Sequence, residues 1–66
     1  MRIYLNGVEK RLPSAPTVAQ LLVDLGLAER RLAVEINQEI IPRSRHAAHR
    51  LQDDDRVEVV VAVGGG

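Results

Sequence analysis

The sequence predicts an α+β domain in which one main helix lies across one face of a mixed sheet of four to five strands. Three observations lead there. An Asn6-Gly7 step divides two alternating runs near the N-terminus. A single apolar stripe of helical period runs from Val18 to Leu25. A valine-rich run, Val57 to Val63, occupies the other end of the chain. At 66 residues there is room for one domain only, and a chain this short buries roughly 60% of the surface its unfolded form exposes.

In the first run, Ile3 and Leu5 alternate with Arg2 and Tyr4, and Val8 and Leu12 resume the apolar pattern after Asn6-Gly7. A type I′ turn needs positive φ at both central residues, so this pattern predicts an antiparallel hairpin. Pro13-Ser14-Ala15-Pro16 ends the second strand. Thr17-Val18-Ala19-Gln20 then has the form of a capping box, with Thr17 capping ahead and Gln20 reaching back. Val18, Leu21, Leu22 and Leu25 share one face of the helix that follows, and Gly26 supplies a left-handed stop.

Beyond a polar link, Val34 and Ile36 alternate with Glu35 and Asn37, Asn37-Gln38-Glu39 reads as a turn, and Ile40-Ile41 forms a short strand closed by Pro42. Arg43 to Arg50 lacks a wide apolar face and reads as a loop or one helical turn, and Asp53-Asp54-Asp55 as a turn. The last strand places Val57, Val59, Val61 and Val63 on one face and Val60 on the other, which assigns it to mid-sheet. Pairing the first and last strands centrally buries the most apolar surface. This is the β-grasp, or ubiquitin-like, arrangement: a domain over residues 1–63 and a flexible tail, Gly64-Gly65-Gly66.

Composition excludes several functions. Nine basic and nine acidic residues cancel, leaving no large field to attract nucleic acid or an anionic membrane. Tyr4 is the one aromatic residue, too few for base-stacking platforms. With no cysteine, disulfide frameworks, thiolate zinc sites and cysteine nucleophiles are ruled out. The chain has neither a leader pattern nor a stretch of about 18 apolar residues, so a cytoplasmic protein is expected.

The usual chemistry-bearing groups have simpler explanations. His46 and His49 stand at i, i+3 without enough companions for a metal site and read as solvated loop residues, so no metal is expected. The three aspartates lack the spacing of a calcium loop. Ser14, Thr17 and Ser44 have no base at recognisable spacing, and Thr17 has its capping role. No catalytic residue stands out. What is left is the glycine run. It is either a frayed end or a side-chain-free thread of about 10 Å able to carry a terminal carboxylate into another protein's active site. Once activated as an acyl-adenylate, that carboxylate would accept an amine or a sulfur donor.

The segments Asn37-Gln38-Glu39-Ile40-Ile41-Pro42-Arg43, Leu51 to Val60 and Val63-Gly64-Gly65-Gly66 resemble the ThiS family of sulfur carriers of thiamin biosynthesis, and the likeness extends over the whole chain. The family usually has glycine where Gln38 and Asp54 stand, both at turns. The resemblance implies that Gly66 is adenylated with ATP and Mg²⁺ used by a ThiF- or MoeB-like adenylyltransferase. Its carboxylate then becomes a thiocarboxylate with sulfur from a cysteine desulfurase or rhodanese-type donor, and thiazole synthase (ThiG) takes that sulfur. Gly64 and Gly65 give clearance, no cofactor is bound, and the carrier is a monomer on its own.

Partner docking is expected on the sheet face opposite the helix, at Tyr4, Val60 and Ala62; contact of these residues with the loop Arg43 to Arg50 is the alternative. Three other readings compete. These are the MoaD-type subunit of molybdopterin synthase, a ubiquitin-like modifier of lysines, and a plain binding module with an inert tail. The MoaD type is usually longer, richer in phenylalanine and ends in two glycines.

Overall fold

The structure, a computed structural model, describes residues 1–62. The predicted tail residues Gly64, Gly65 and Gly66, together with Val63, lie outside the described residues. In chain order the elements are β1 (Arg2–Leu5), β2 (Val8–Arg11), α1 (Val18–Asp24), β3 (Leu32–Ile36), β4 (Glu39–Ile41), a 3₁₀ turn (Arg43–Arg45) and β5 (Arg56–Val61). The strands form one five-stranded sheet in the order β2-β1-β5-β3-β4, with β1 and β5 parallel and the other pairs antiparallel. One helix and a mixed sheet with the first and last strands paired at its centre match the prediction.

The local chemistry is what the sequence calls for. Asn6 and Gly7 take φ of 50° and 83° between Leu5 and Val8, which pair directly, as a two-residue type I′ turn requires. At the start of α1, Thr17 Oγ1 accepts from the Gln20 N–H at 3.2 Å and Gln20 Oε1 accepts from the Thr17 N–H at 2.9 Å, a complete capping box. At its end the Gly26 N–H reaches the Val23 carbonyl (3.0 Å) and the Leu27 N–H reaches Leu22 (2.8 Å). With Gly26 at φ 74°, this is a Schellman stop that satisfies two otherwise orphaned carbonyls.

Ile3, Val18, Leu21, Leu22, Val34, Ile36, Ile41, Leu51, Val57 and Val59 form the buried core between α1 and the sheet. Each fully buried aliphatic side chain in such a core contributes about 1.5–3 kcal/mol. Leu51 enters it from a non-strand segment, its N–H held by the Pro16 carbonyl at 2.9 Å.

Two expectations need correction. His46 is not a solvated loop residue. It is buried, its ring Nε2 lies 2.9 Å from the Ile41 carbonyl, and its own carbonyl accepts the Ala19 N–H at 3.0 Å. The segment after β4 is therefore tied to the start of α1 through its backbone. Val60 does not owe the central place of β5 to burial. It is 65% exposed, on the uncovered face; what places β5 centrally is its hydrogen bonding to β1 and β3.

The aspartate run is turn chemistry, as expected. Asp53 Oδ1 accepts the Arg2 N–H (2.8 Å), Asp54 Oδ1 accepts the Arg2 guanidinium (2.7 and 2.9 Å), and buried Asp55 accepts from the Gln52 N–H (2.8 Å) and from Asn37 Nδ2 (3.0 Å). Asp54 stands at φ 69° and Gln38 at φ 71°. Both positions where the family usually has glycine are thus left-handed, the region that favours it.

Candidate functional site

Two features of this fold bear on the predicted docking: the root of the tail and the uncovered side of the sheet. β5 runs up the middle of the sheet, and beyond its last residue, Val61, the Ala62 N–H bonds to the Arg31 carbonyl at 2.8 Å. The chain beyond Ala62 therefore starts from a strand paired on both sides.

Strand register assigns the uncovered face. Because Ile3, Val57, Val59, Val34, Ile36 and Ile41 point into the core, alternation turns Glu9, Tyr4, Arg56, Glu58, Val60, Ala33, Glu35 and Ile40 the other way. Tyr4 pairs with Arg56 across the parallel ladder. The guanidinium carbons of Arg2 and Arg56 each sit 5.4 Å from the centroid of the Tyr4 ring, within cation–π reach. Asp54 beside Arg2 holds that guanidinium above its ordinary value, through its hydrogen bond first and its charge second.

The three proposed docking residues share this side but do not form one contact point. Tyr4 is half-buried at one end, while Val60 lies four residues beyond Arg56, about 13 Å along β5. Ala62 is exposed past the strand end. The alternative contact with Arg43 to Arg50 does not occur for the strongly exposed Val60, because that segment packs on the helix side. There the His46 and His49 carbonyls accept from Ala19 and Val18.

Register also brings together residues that alternation alone does not find. Glu35 faces Glu58 directly across the β3–β5 pair, and Ile40, 62% exposed, stands beside Glu35 on β4. The signal for each face was present in the sequence. The signal for register was not, since that depends on which strands pair.

Elsewhere the described residues hold no group of three or more His, Asp or Glu side chains placed to bind a metal ion. An open groove of about 240 Å³ beside α1 is lined by Leu22, Val23, Leu27, Leu32, Arg43 and His46 among others. It is smaller than the roughly 300–1,000 Å³ of most small-molecule sites. Among the described residues no helix is long and apolar enough to cross a membrane.

Fold and strand order together define a β-grasp, ubiquitin-like domain whose central strand leads into a glycine run. Comparison with known proteins carries this further. The family model described as the ThiS family matches residues 3–66. The sulfur carrier protein ThiS of Escherichia coli (strain K12) is 33% identical, with both chains covered in full. The crystal structure of the thiamine biosynthesis protein ThiS of Geobacter metallireducens superposes with a TM-score of 0.85 at 30% identity, again over the whole of both chains. The thiazole synthase of Paramagnetospirillum magneticum is 41% identical over all 66 residues, and the chain spans 20% of that protein's length. The chain belongs to the ThiS family.

Proposed function

We propose that this chain carries sulfur as a thiocarboxylate on Gly66 and delivers it to thiazole synthase. The Gly66 carboxylate oxygen attacks the α-phosphorus of ATP on a ThiF- or MoeB-like adenylyltransferase, and pyrophosphate leaves. A persulfide sulfur on a cysteine desulfurase or a rhodanese-type donor then attacks the acyl carbon, and AMP leaves with its electron pair. A thiol reductant cleaves the S–S bond of the resulting acyl disulfide, so one carboxylate oxygen has been replaced by sulfur; free sulfide reaches the same product without the reductant. The chain supplies the acyl group, and the partner supplies ATP, Mg²⁺ and the catalytic side chains.

The domain, residues 1–63, is the handle, and the tail, Gly64 to Gly66, is the reach. Gly64 and Gly65 have no side chain to obstruct a narrow channel, and three residues extend about 10 Å. Partners dock on the uncovered sheet face at Tyr4, Val60 and Ala62. Between encounters the carrier is a cytoplasmic monomer. The observation that carries this reading is that the ThiS family match runs to residue 66, through the glycine run. Thiazole synthase as acceptor is supported by the thiazole synthases of Paramagnetospirillum magneticum and Magnetococcus marinus, each of which includes a region 41% identical to the whole chain.

Intact-mass spectrometry tests it after incubation with a ThiF-type adenylyltransferase, ATP, Mg²⁺ and sulfide. The expected result is a mass gain equal to one oxygen replaced by sulfur, located at Gly66 and lost when Gly66 is deleted. If neither adenylate nor sulfur is acquired, the tail is not a carrier terminus.

A further inference from the structure

The uncovered face carries an arrangement that costs the fold something in isolation. Glu35 and Glu58 are direct cross-strand partners on neighbouring central strands, a position where side chains stand about 4.5–5.5 Å apart at Cβ and like charges destabilise. Among the described residues no cation pairs with them. Among the described residues the ion pairs are Arg2–Asp54 and Arg11–Glu9. Arg56, two residues before Glu58 on the same face, has its guanidinium over the Tyr4 ring instead. Around the two carboxylates stand exposed aliphatic groups: Ile40 next to Glu35, and Val60 with its partner Ala33 one step along the strands.

We propose that this face receives a partner surface presenting an arginine or lysine between aliphatic side chains, its cation seated between Glu35 and Glu58 and its apolar flanks on Val60 and Ile40. The inference rests on the carrier reading and specifies the chemistry of the docking surface on the adenylating enzyme. Two arguments converge on a cation. A positive charge from a partner relieves the repulsion between the carboxylates, and covering the aliphatic groups removes water from around that contact, which strengthens it. The position suits the task, because Val60 is two residues short of Ala62, at the root of the tail. A partner seated here holds the domain beside the segment it must draw in.

The test compares the wild-type chain with the Glu35→Gln, Glu58→Gln double variant, which keeps shape and removes both charges. Affinity for the purified ThiF-type adenylyltransferase is measured by calorimetry at low and high salt, and thiocarboxylate formation by mass. The variant is expected to melt a few degrees higher, about 2–5 °C. It should bind about 10- to 100-fold more weakly and lose the salt dependence of the wild type. Unchanged affinity and an unchanged salt slope overturn the proposal, as does a wild-type chain that does not bind the enzyme at all. Wild-type chain that binds in this charge-dependent way yet never gains sulfur overturns the carrier reading instead.

Discussion

The two hairpins of this chain turn the same way with different residues. Between β1 and β2 the turn is Asn6-Gly7, at φ 50° and 83°; between β3 and β4 it is Asn37-Gln38, at φ 52° and 71°. Both first residues are asparagines that reach sideways to the central strand. Asn6 Oδ1 accepts the Val59 N–H at 2.9 Å, and its Nδ2 lies 3.4 Å from the Val59 carbonyl. Asn37 Oδ1 accepts the Arg56 N–H at 3.0 Å while its Nδ2 donates to buried Asp55 at 3.0 Å. Each turn therefore does two jobs, reversing the chain and clamping β5 from one side. The second residues differ. Glycine adopts the left-handed region freely, and glutamine does so at a cost of about 1 kcal/mol. The comparison teaches that the clamp depends on the asparagine, and that the second position is tolerated where strand pairing over-determines it.

The largest effect comes from removing the clamp that also serves a buried charge. Asn37→Ala deprives Asp55 of one donor, leaves the Arg56 N–H unpaired and puts alanine in the left-handed region, for a loss of about 3 kcal/mol in urea unfolding. That is a large share of the roughly 3–10 kcal/mol available to a domain of this size. Asn6→Ala loses one good bond and one long one with the same backbone penalty, so its expected cost is about 2 kcal/mol. If the two clamps cost the same, the buried carboxylate plays no special part.

Gln38→Gly makes the two turns alike and should stabilise by about 0.5–1 kcal/mol, raising the melting temperature by about 2–8 °C. A fall in stability would mean that the glutamine side chain contributes more than its backbone costs. Asp54→Gly relieves the same strain but gives up the exposed Arg2 pair, which water and salt screen. A net change within about 0.5 kcal/mol is expected, and a larger loss would show the Arg2 link to be a structural tie.

Much of this was legible in the residues because it is encoded locally. The Asn6-Gly7 turn, the Thr17/Gln20 box and the Gly26 stop each depend on a few neighbours, and each forms as its residues predict. The central pairing of β1 with β5 was legible too, from where the apolar content is concentrated. His46 and Leu51 were not. Both are buried from a segment with no period, and what buries them is the start of α1, far away in sequence. Nor was the opposition of Glu35 and Glu58, since like charges in separate strands say nothing until the register is known. For the site, alternation set Tyr4 and Val60 on one face but not the distance between them. Gly64 to Gly66 stood out by composition alone and lie outside the described residues.

The placement of β5 has a mechanical consequence. It is bonded along one side to β1 and along the other to β3, and the chain continues from its end. A force applied beyond Ala62 along the strand loads both ladders in shear, so that many hydrogen bonds share the tension at once. A force applied across the edge strand β2, which is paired on one side only, would instead peel its bonds away one by one. On the proposed reading, an enzyme drawing in the terminus would pull on a strand held from both sides rather than on an edge.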